Sequence, residues 1–305
     1  MNFPFYIARR YLFSKKKHNA INIISGISVC GVALATLALV CTLSVFNGFQ
    51  DMVASFFTAF DPQLKITVRE GKVFDAQDER IRAVCELPEV EVFTETLEEN
   101  AMVQYKDRQA MVVLKGVEDN FEELTAIDSI LYGAGEFVLH DSIVNYGVMG
   151  VELVATLGTG LEFVDPLQVY LPKRNAKVNM ANPGASFNRD YLYSPGVVFV
   201  VNQQEYDGKY ILTSLDFLRQ LLDYTTEVSA MELKLKSNVN TSSVQSKIEN
   251  ILGDDFVVQN RYQQQADVFR IMEIEKLISY LFLTFILMIA CFNVIGSLSM
   301  LILDK

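Results

Sequence analysis

Two stretches of this chain contain no Asp, Glu, Lys or Arg: the 33 residues 18–50 and the 27 residues 277–303. Crossing the hydrocarbon core of a bilayer takes roughly 20 apolar residues in a helix. Both stretches exceed that length, so each is expected to be a transmembrane helix, and a purely soluble fold is not. Cleavage of the first as a signal peptide is not expected either. Its apolar run, Ile21–Phe46, is much longer than the roughly 7–15 residues of a signal's apolar region. Cys30 follows Val29 and Cys41 follows Val40, so neither has the small preceding residue of a lipoprotein signal.

Charge then sets the orientation. Residues 1–17 carry Arg9, Arg10, Lys15, Lys16 and Lys17 and no acid. Basic residues beside a first span stay on the cytoplasmic side. The expected topology has the N-terminus in the cytoplasm, 51–276 exported, and Asp304–Lys305 back in the cytoplasm. The exported part holds 20 bases and 36 acids, a charge of −16 within a chain of −11. No basic patch spans a domain, which excludes nucleic-acid binding. The acidic surface reads as a solvated one that keeps the domain soluble. The expected divisions are a basic interfacial segment at 1–20, a first span at 21–48, an exported α+β domain at 49–270, an extended helix and second span at 271–303, and a cytoplasmic start at 304–305.

Within the exported part, strands are predicted at Leu64–Val68, Val90–Thr96, Met111–Val117, Leu167–Leu171, Val197–Val201, Tyr210–Thr213, Met231–Leu235 and Phe256–Val258. Helices are predicted at Ala76–Leu87, Met149–Leu157 with Gly158 as C-cap, Leu215–Leu222 with Ser214 as N-cap, and Ser242–Leu252. The domain is expected in two halves, about 62–140 with part of the later chain, and 210–260. A helix is expected to run from Tyr262 through Asn293 into the second span. Residues 172–196, rich in Pro, Gly and Asn, read as a loop.

Residues that carry chemistry are scarce. GxxxxGK[ST], HExxH, CxxC and GxSxG do not occur, so no nucleotide, metal or cofactor site and no enzymatic activity is expected. His140, Asp141 and Ser142 are neighbours in sequence and read as a turn cap. Cys30, Cys41 and Cys291 lie in the spans and Cys85 is alone in the exported part, which predicts no disulfide. In the first span Gly31, Ala35 and Ala38 fall at i, i+4 and i+7, a small-residue face suited to helix packing. Asn293 and Gly296 are the corresponding candidates in the second.

Two segments resemble a known family. ARRYL (8–12) with INIISGISVCGVALATLALVCTLSVFNGF (21–49), and FNVIGSLSMLILDK (292–305), are similar to the permease subunits of lipoprotein-releasing ABC transporters of the Lol C/E type. These form a branch of a larger group with macrolide-efflux and FtsX-type permeases. YLPKRNAK (170–177), GVVFVVNQQEYDGKYIL (196–212) and SLDFLRQLL (214–222) extend the resemblance through the exported part.

The resemblance implies four transmembrane helices with a MacB-like periplasmic domain between the first two. It also implies an inner-membrane location, a separate ABC ATPase subunit, and a second permease subunit or a homodimer. The substrate it implies is a lipoprotein, moved from the membrane lipids to a periplasmic carrier. On that basis acyl chains are expected against Val45, Phe46 and Phe49 of the first helix and Leu277, Tyr280, Leu281 and Thr284 of the second. The loop 172–196 falls where a carrier-docking hook occurs in the family. Lys173, Arg174, Lys177 and Arg189, set between Pro172 and Pro183 or beyond, make it basic on an acidic body. The chain ends where the family continues into a coupling helix and two more spans, so a fragment is expected. The alternatives are an FtsX-like or efflux-type permease, or a two-span sensory receptor whose exported domain binds a ligand.

Overall fold

The computed structural model describes Phe3, Tyr6 and residues 19–56, 60–174 and 186–303. The predicted interfacial helix over 3–13 lies largely outside the described residues. The chain divides into two units: Ala54–Gln265, and Met1–Val53 with Ala266–Lys305.

The second of these units holds two 38-residue helices, α1 (Asn19–Phe56) and, at the far end of the chain, Ala266–Leu303. Their apolar stretches, Gly26–Phe49 and Phe269–Gly296, are long and apolar enough to cross a membrane. The predicted helix from Tyr262 is interrupted. A short helix, Arg261–Gln264, is closed by a capping box between Asn260 and Gln263, and the long helix starts only after Gln265.

The unit Ala54–Gln265 is α+β. Its elements run β1 (Leu64–Val68), β2 (Phe74–Asp75), α2 (Glu79–Cys85), β3 (Val90–Tyr105), β4 (Arg108–Val117), α3 (Phe121–Leu124), β5 (Leu131–Gly133) and β6 (Val148–Met149). They continue with α4 (Val151–Leu157), β7 (Leu167–Pro172), β8 (Phe187–Leu192), β9 (Val197–Phe199), α5 (Gln204–Asp207), β10 (Tyr210–Ser214) and α6 (Leu215–Leu222). The last are β11 (Glu227–Val228), β12 (Ala230–Leu235), α7 (Thr241–Leu252), β13 (Phe256–Asn260) and α8 (Arg261–Gln264), followed by the long helix α9 (Ala266–Leu303).

Nine strands form one sheet in the order β13–β1–β12–β3–β4–β10–β6, with β7 on β3 and β8 on β7. The two halves are not the predicted ones. β3 is a 16-residue strand that serves both: residues 90–96 pair with β12, and Met102–Gln104 pair with β7. One half is built around β1, β12, β13, α2 and α7, with Leu64, Ile66, Ile81, Leu233 and Ile248 fully buried between them. The other lies around the far end of β3, β4, β7, α4 and α6, with Leu97, Val103, Leu114, Leu153 and Phe217 at its centre. The prediction ended β3 at Thr96 because polar residues Glu98–Asn100 interrupt the apolar alternation; they are tolerated where they pair with β4.

Local chemistry fixes the helix ends. The Ser214 hydroxyl accepts from the Phe217 amide at 3.3 Å, starting α6, and Asp78 accepts from Arg80 N at the start of α2. Gly158 ends α4 in the left-handed region at φ 67°, where a Cβ is disfavoured. The predicted helix Met149–Leu157 loses its first residues to β6, which pairs with β10.

Candidate functional site

In the helical unit, α1 shields one stripe and exposes the rest. Ser28 and Ala35 are buried, and Gly31, Ala38, Thr42 and Phe46 are partly covered, at the three- and four-residue spacing of one helix face. On α9 the covered positions include Met272, Lys276, Ser279, Leu283, Leu287 and Ala290. The two helices are joined where Lys276 Nζ donates to Asn47 Oδ1 at 2.7 Å. Gly31 and Gly296 make no close approach: a Cβ on either would meet nothing within 4 Å. The side chain of Asn293 lies outside the described residues.

The residues expected to meet acyl chains do not line a closed cavity. Val45, Phe49, Leu277, Tyr280 and Leu281 are exposed, whereas Phe46 and Thr284 are half-covered. Leu277, Tyr280, Leu281 and Thr284 recur at i, i+3, i+4 and i+7 and so share one face of α9. Thr284 turns its hydroxyl back to the Tyr280 carbonyl at 2.8 Å, which hides its polar atom and leaves the methyl outward.

The basic loop is shorter than its composition suggested. β7 and β8 are an antiparallel hairpin with Pro172 opposite Phe187, and Lys173 N donates to Ser186 O at 2.9 Å. Residues 187–192 are therefore strand. Arg189 sits in β8 opposite Tyr170 and is not part of a projection. Arg174 is exposed but engaged, with its guanidinium 5.0 Å from the Tyr224 ring centroid and 3.8 Å from Glu227 Oε1. Lys173, one residue beyond β7, is exposed. Lys177 and Pro183 lie outside the described residues.

The most unusual chemistry was not anticipated. Residues opposite one another on neighbouring strands point to the same face. The pairs Lys65↔Glu232, Glu232↔Thr94, Glu98↔Lys115 and Leu212↔Lys115 therefore put a row of charges across four strands. Lys115 Nζ is 2.6 Å from Glu232 Oε1 and 3.5 Å from Glu98 Oε1. Lys65 Nζ is 3.2 Å from Glu98 and 4.0 Å from Glu232. The Lys115 and Glu232 side chains are 3% and 0% exposed. Phe60 and Phe121 cover them, with ring centroids 5.8 and 5.6 Å from Lys115 Nζ.

Charges this deep persist because they pair. Burial alone would raise the Glu98 carboxyl, but Lys65 and Lys115 outweigh it and pull it down to about 2. Burial works against the charge on Lys65, yet Glu98 and Glu232 hold its pKa above the ordinary lysine value. Asp61 behaves oppositely. Burial raises its carboxyl, and hydrogen bonds from Tyr206 and Gln265 with the fields of Lys115 and Lys65 only partly offset that.

Nucleophilic chemistry finds no place among the described residues. Burial, with Glu95, Glu118 and Glu86 nearby, pushes the Cys85 thiol up to about 11, away from the reactive thiolate. Asp141 accepts from the amides of Ile143 and Val144 and from the Tyr146 hydroxyl, capping a turn. His140 faces Asp119 at 3.5 Å, so it is turned away from any triad with its neighbours. No group of three or more His, Cys, Asp or Glu suited to a metal ion occurs among the described residues.

Residues 25–251 match the family model of the MacB-like periplasmic core domain. The chain belongs to that family. Its curated relatives include the lipoprotein-releasing system transmembrane protein LolE of Haemophilus influenzae, 23% identical over 100% of this chain and 72% of the relative. The corresponding LolC of Xylella fastidiosa is 23% identical over 98% of the chain and 70% of the relative. The periplasmic region of MacB from Actinobacillus actinomycetemcomitans superposes with a TM-score of 0.45 at 10% identity, covering 70% of this chain and 94% of that one.

The chain is thus an ABC-transporter permease of the Lol/MacB group. The MacB-like match takes in the buried charge row and most of the first apolar helix.

Proposed function

We propose that this chain is a permease subunit that releases lipoproteins from the inner membrane to a periplasmic carrier, driven by a separate ATPase subunit. The observation that carries the reading is the extent of the likeness to the Lol proteins. It runs from end to end of this chain and so includes both apolar helices as well as the domain.

On this reading the N-terminus is cytoplasmic, as its five basic residues favour. Ala54–Gln265 is periplasmic. A second permease subunit, identical or related, completes the membrane part. Acyl chains lie against the exposed apolar faces that carry Val45 and Phe49 on α1 and Leu277, Tyr280 and Leu281 on α9. A lipoprotein anchored in the outer leaflet would meet these faces first. The segment between β7 and β8, which carries Lys173 and Lys177 in sequence, offers positive charge to an acidic carrier on a body that is otherwise negative.

Reconstitution tests it. The complete permease, its ATPase and a lipidated substrate are placed in proteoliposomes, and the soluble carrier is added. ATP is expected to move the lipoprotein into the soluble fraction bound to carrier. Photocrosslinkers at Val45 and Leu281 should capture it before ATP is added. Retention of lipoprotein in the membrane with ATP turnover intact would overturn the reading in favour of another passenger.

A further inference from the structure

Residues 60–63 carry the chain from the first span into the domain, and every one of them is fastened. Phe60 is buried against Phe199, Tyr206 and Tyr210, with ring centroids at 4.9, 5.0 and 6.1 Å. Asp61 Oδ1 accepts from the Tyr206 hydroxyl at 2.9 Å and from Gln265 Nε2 at 3.4 Å. Pro62 O accepts from Gln264 Nε2 at 3.1 Å, and Gln63 Oε1 from the Leu235 amide at 2.6 Å. The outgoing chain is fastened to the same place. Arg261 Nε donates to Asp61 O at 3.2 Å, and Gln265 Nε2 also reaches the Tyr206 hydroxyl at 2.7 Å. Gln265 is the last residue before α9.

The strands that follow and precede these segments, β1 and β13, are hydrogen-bonded neighbours, with Leu64 opposite Asn260. Tyr206 belongs to α5 and to a third buried cluster, which holds Phe60, Phe121, Phe199 and Leu212. It connects that cluster to both chain crossings at once. A loop joint would need none of this; short connections with solvated side chains suffice to tether a domain.

We propose that Asp61, Tyr206 and Gln265 form a joint that makes both chain crossings and the buried cluster around Tyr206 move as one body. Tyr206 and Gln265 are then positioning residues for transport, acting through the domain and not through the passenger. The proposal rests on the permease reading for its physiological meaning, but its geometry does not depend on which passenger is carried.

The test uses the complete permease–ATPase complex in lipid nanodiscs. Spin labels are placed on Ile143→Cys and Ile274→Cys, both exposed, and their distance distribution is measured with and without a non-hydrolysable ATP analogue. Tyr206→Phe keeps the ring packed on Phe60 and removes the hydroxyl. Gln265→Ala removes the second arm. Tyr210→Phe, which trims a hydroxyl from the same aromatic cluster, is the control. Nucleotide is expected to shift the distance in the parent and in Tyr210→Phe. In Tyr206→Phe and Gln265→Ala the shift should shrink while ATP binding and melting temperature hold. Passenger release should fall about fivefold or more, the lower end of ordinary site-to-site coupling. A full shift in both joint variants overturns the proposal, and so does the absence of any shift in the parent. A normal pattern of shifts without lipoprotein release leaves the joint standing and removes the lipoprotein reading.

Discussion

Lys115 and Glu232, 117 residues apart in sequence, place Nζ and Oε1 2.6 Å apart beneath the Phe60 and Phe121 rings. Glu232 Oε2 has no hydrogen-bond partner among the described residues. Such a pair holds register more than it adds stability, because desolvation takes back much of the Coulombic gain.

Removing one member of that pair is expected to be worse than removing both. Glu232→Leu leaves Lys115 buried beside Glu98 alone, and Lys115→Met leaves Glu232 with only Lys65, 4.0 Å away. Each should cost about 3–5 kcal/mol. The double variant should recover most of it, since two apolar chains of similar volume fill the same space. Thermal unfolding in detergent, followed by tyrosine fluorescence because the chain has no Trp, gives the comparison. A double variant no better than the worse single one would show that the charges act independently.

Asp61 and Glu98 should give opposite pH dependences. The folded pKa of Asp61 is raised, so its contribution is complete below its unfolded value and is lost as pH rises through the folded one. Asp61→Asn, which keeps an acceptor for Tyr206 and Gln265, should therefore melt higher than the parent at pH 7. The two should converge in acid. Glu98 is depressed to about 2 from 4.5. Its contribution is present above the unfolded value and fades as pH falls from 4.5 towards about 2. Glu98→Gln should melt lower than the parent at pH 7 and approach it near pH 2. Parallel pH curves for the two variants would contradict both assignments.

The basic residues around the hairpin differ in setting: Lys173 lies just beyond β7, Arg189 is in mid-strand, and Arg174 rests on Tyr224 and Glu227. Lys173→Gln and Lys177→Gln should slow association with an acidic carrier, most at low salt where screening is weakest. Arg189→Gln, in mid-strand, should leave the association rate unchanged. Arg174→Gln should lower stability by at most about 1 kcal/mol, the range of exposed ion pairs, because it braces Tyr224 and Glu227. Stopped-flow binding across a salt series measures the first two effects, and melting measures the last. An equal rate loss from all four changes would restore the longer loop read from composition.

Apolar runs, caps and alternation made most elements legible in sequence. Ser214, Gly158 and the alternation of Leu64–Val68 act within a few residues, so sequence reasoning reaches them. The charge row escaped because alternation in MELKL places Glu232 opposite the apolar face, where a half-exposed strand would be solvated. Here the second face is covered too, by Phe60 from the segment after α1 and by Phe121 from α3. Only the non-local pairing of β1, β12, β3 and β4 reveals that Lys65, Glu98, Lys115 and Glu232 meet. A weak signal was present: Lys115 interrupts the apolar run MVVLKGV, where a lysine needs a buried partner. The loop 172–196 was misread for the opposite reason. FNRDYL has little apolar alternation, and β8 is held by pairing with β7 at the sheet's margin.

The small residues of α1 make the last prediction, because the structure divides them. Ala35 is buried on the stripe that shields α1, at 6% exposure. Gly31 lies one turn away, with open space where its Cβ would be. Ala35→Phe should force the helices apart, since no volume is free at a buried alanine. Gly31→Ala and Gly296→Ala should be tolerated and should stiffen their helices by about 0.5–1 kcal/mol, the ordinary cost of helical glycine. The reporter is crosslinking of Asn47→Cys to Lys276→Cys, whose parent side chains meet at 2.7 Å, by a short bifunctional thiol reagent that spans the length of the lost lysine. The reagent should link them at the same rate in the parent and in both glycine variants, with native Cys30, Cys41, Cys85 and Cys291 first changed to Ser. Adding Ala35→Phe should slow the linking markedly. A rate loss with Gly31→Ala equal to that with Ala35→Phe would mean that the glycine face makes a contact the two helices of this chain do not account for. Small residues on it would then pack against another subunit.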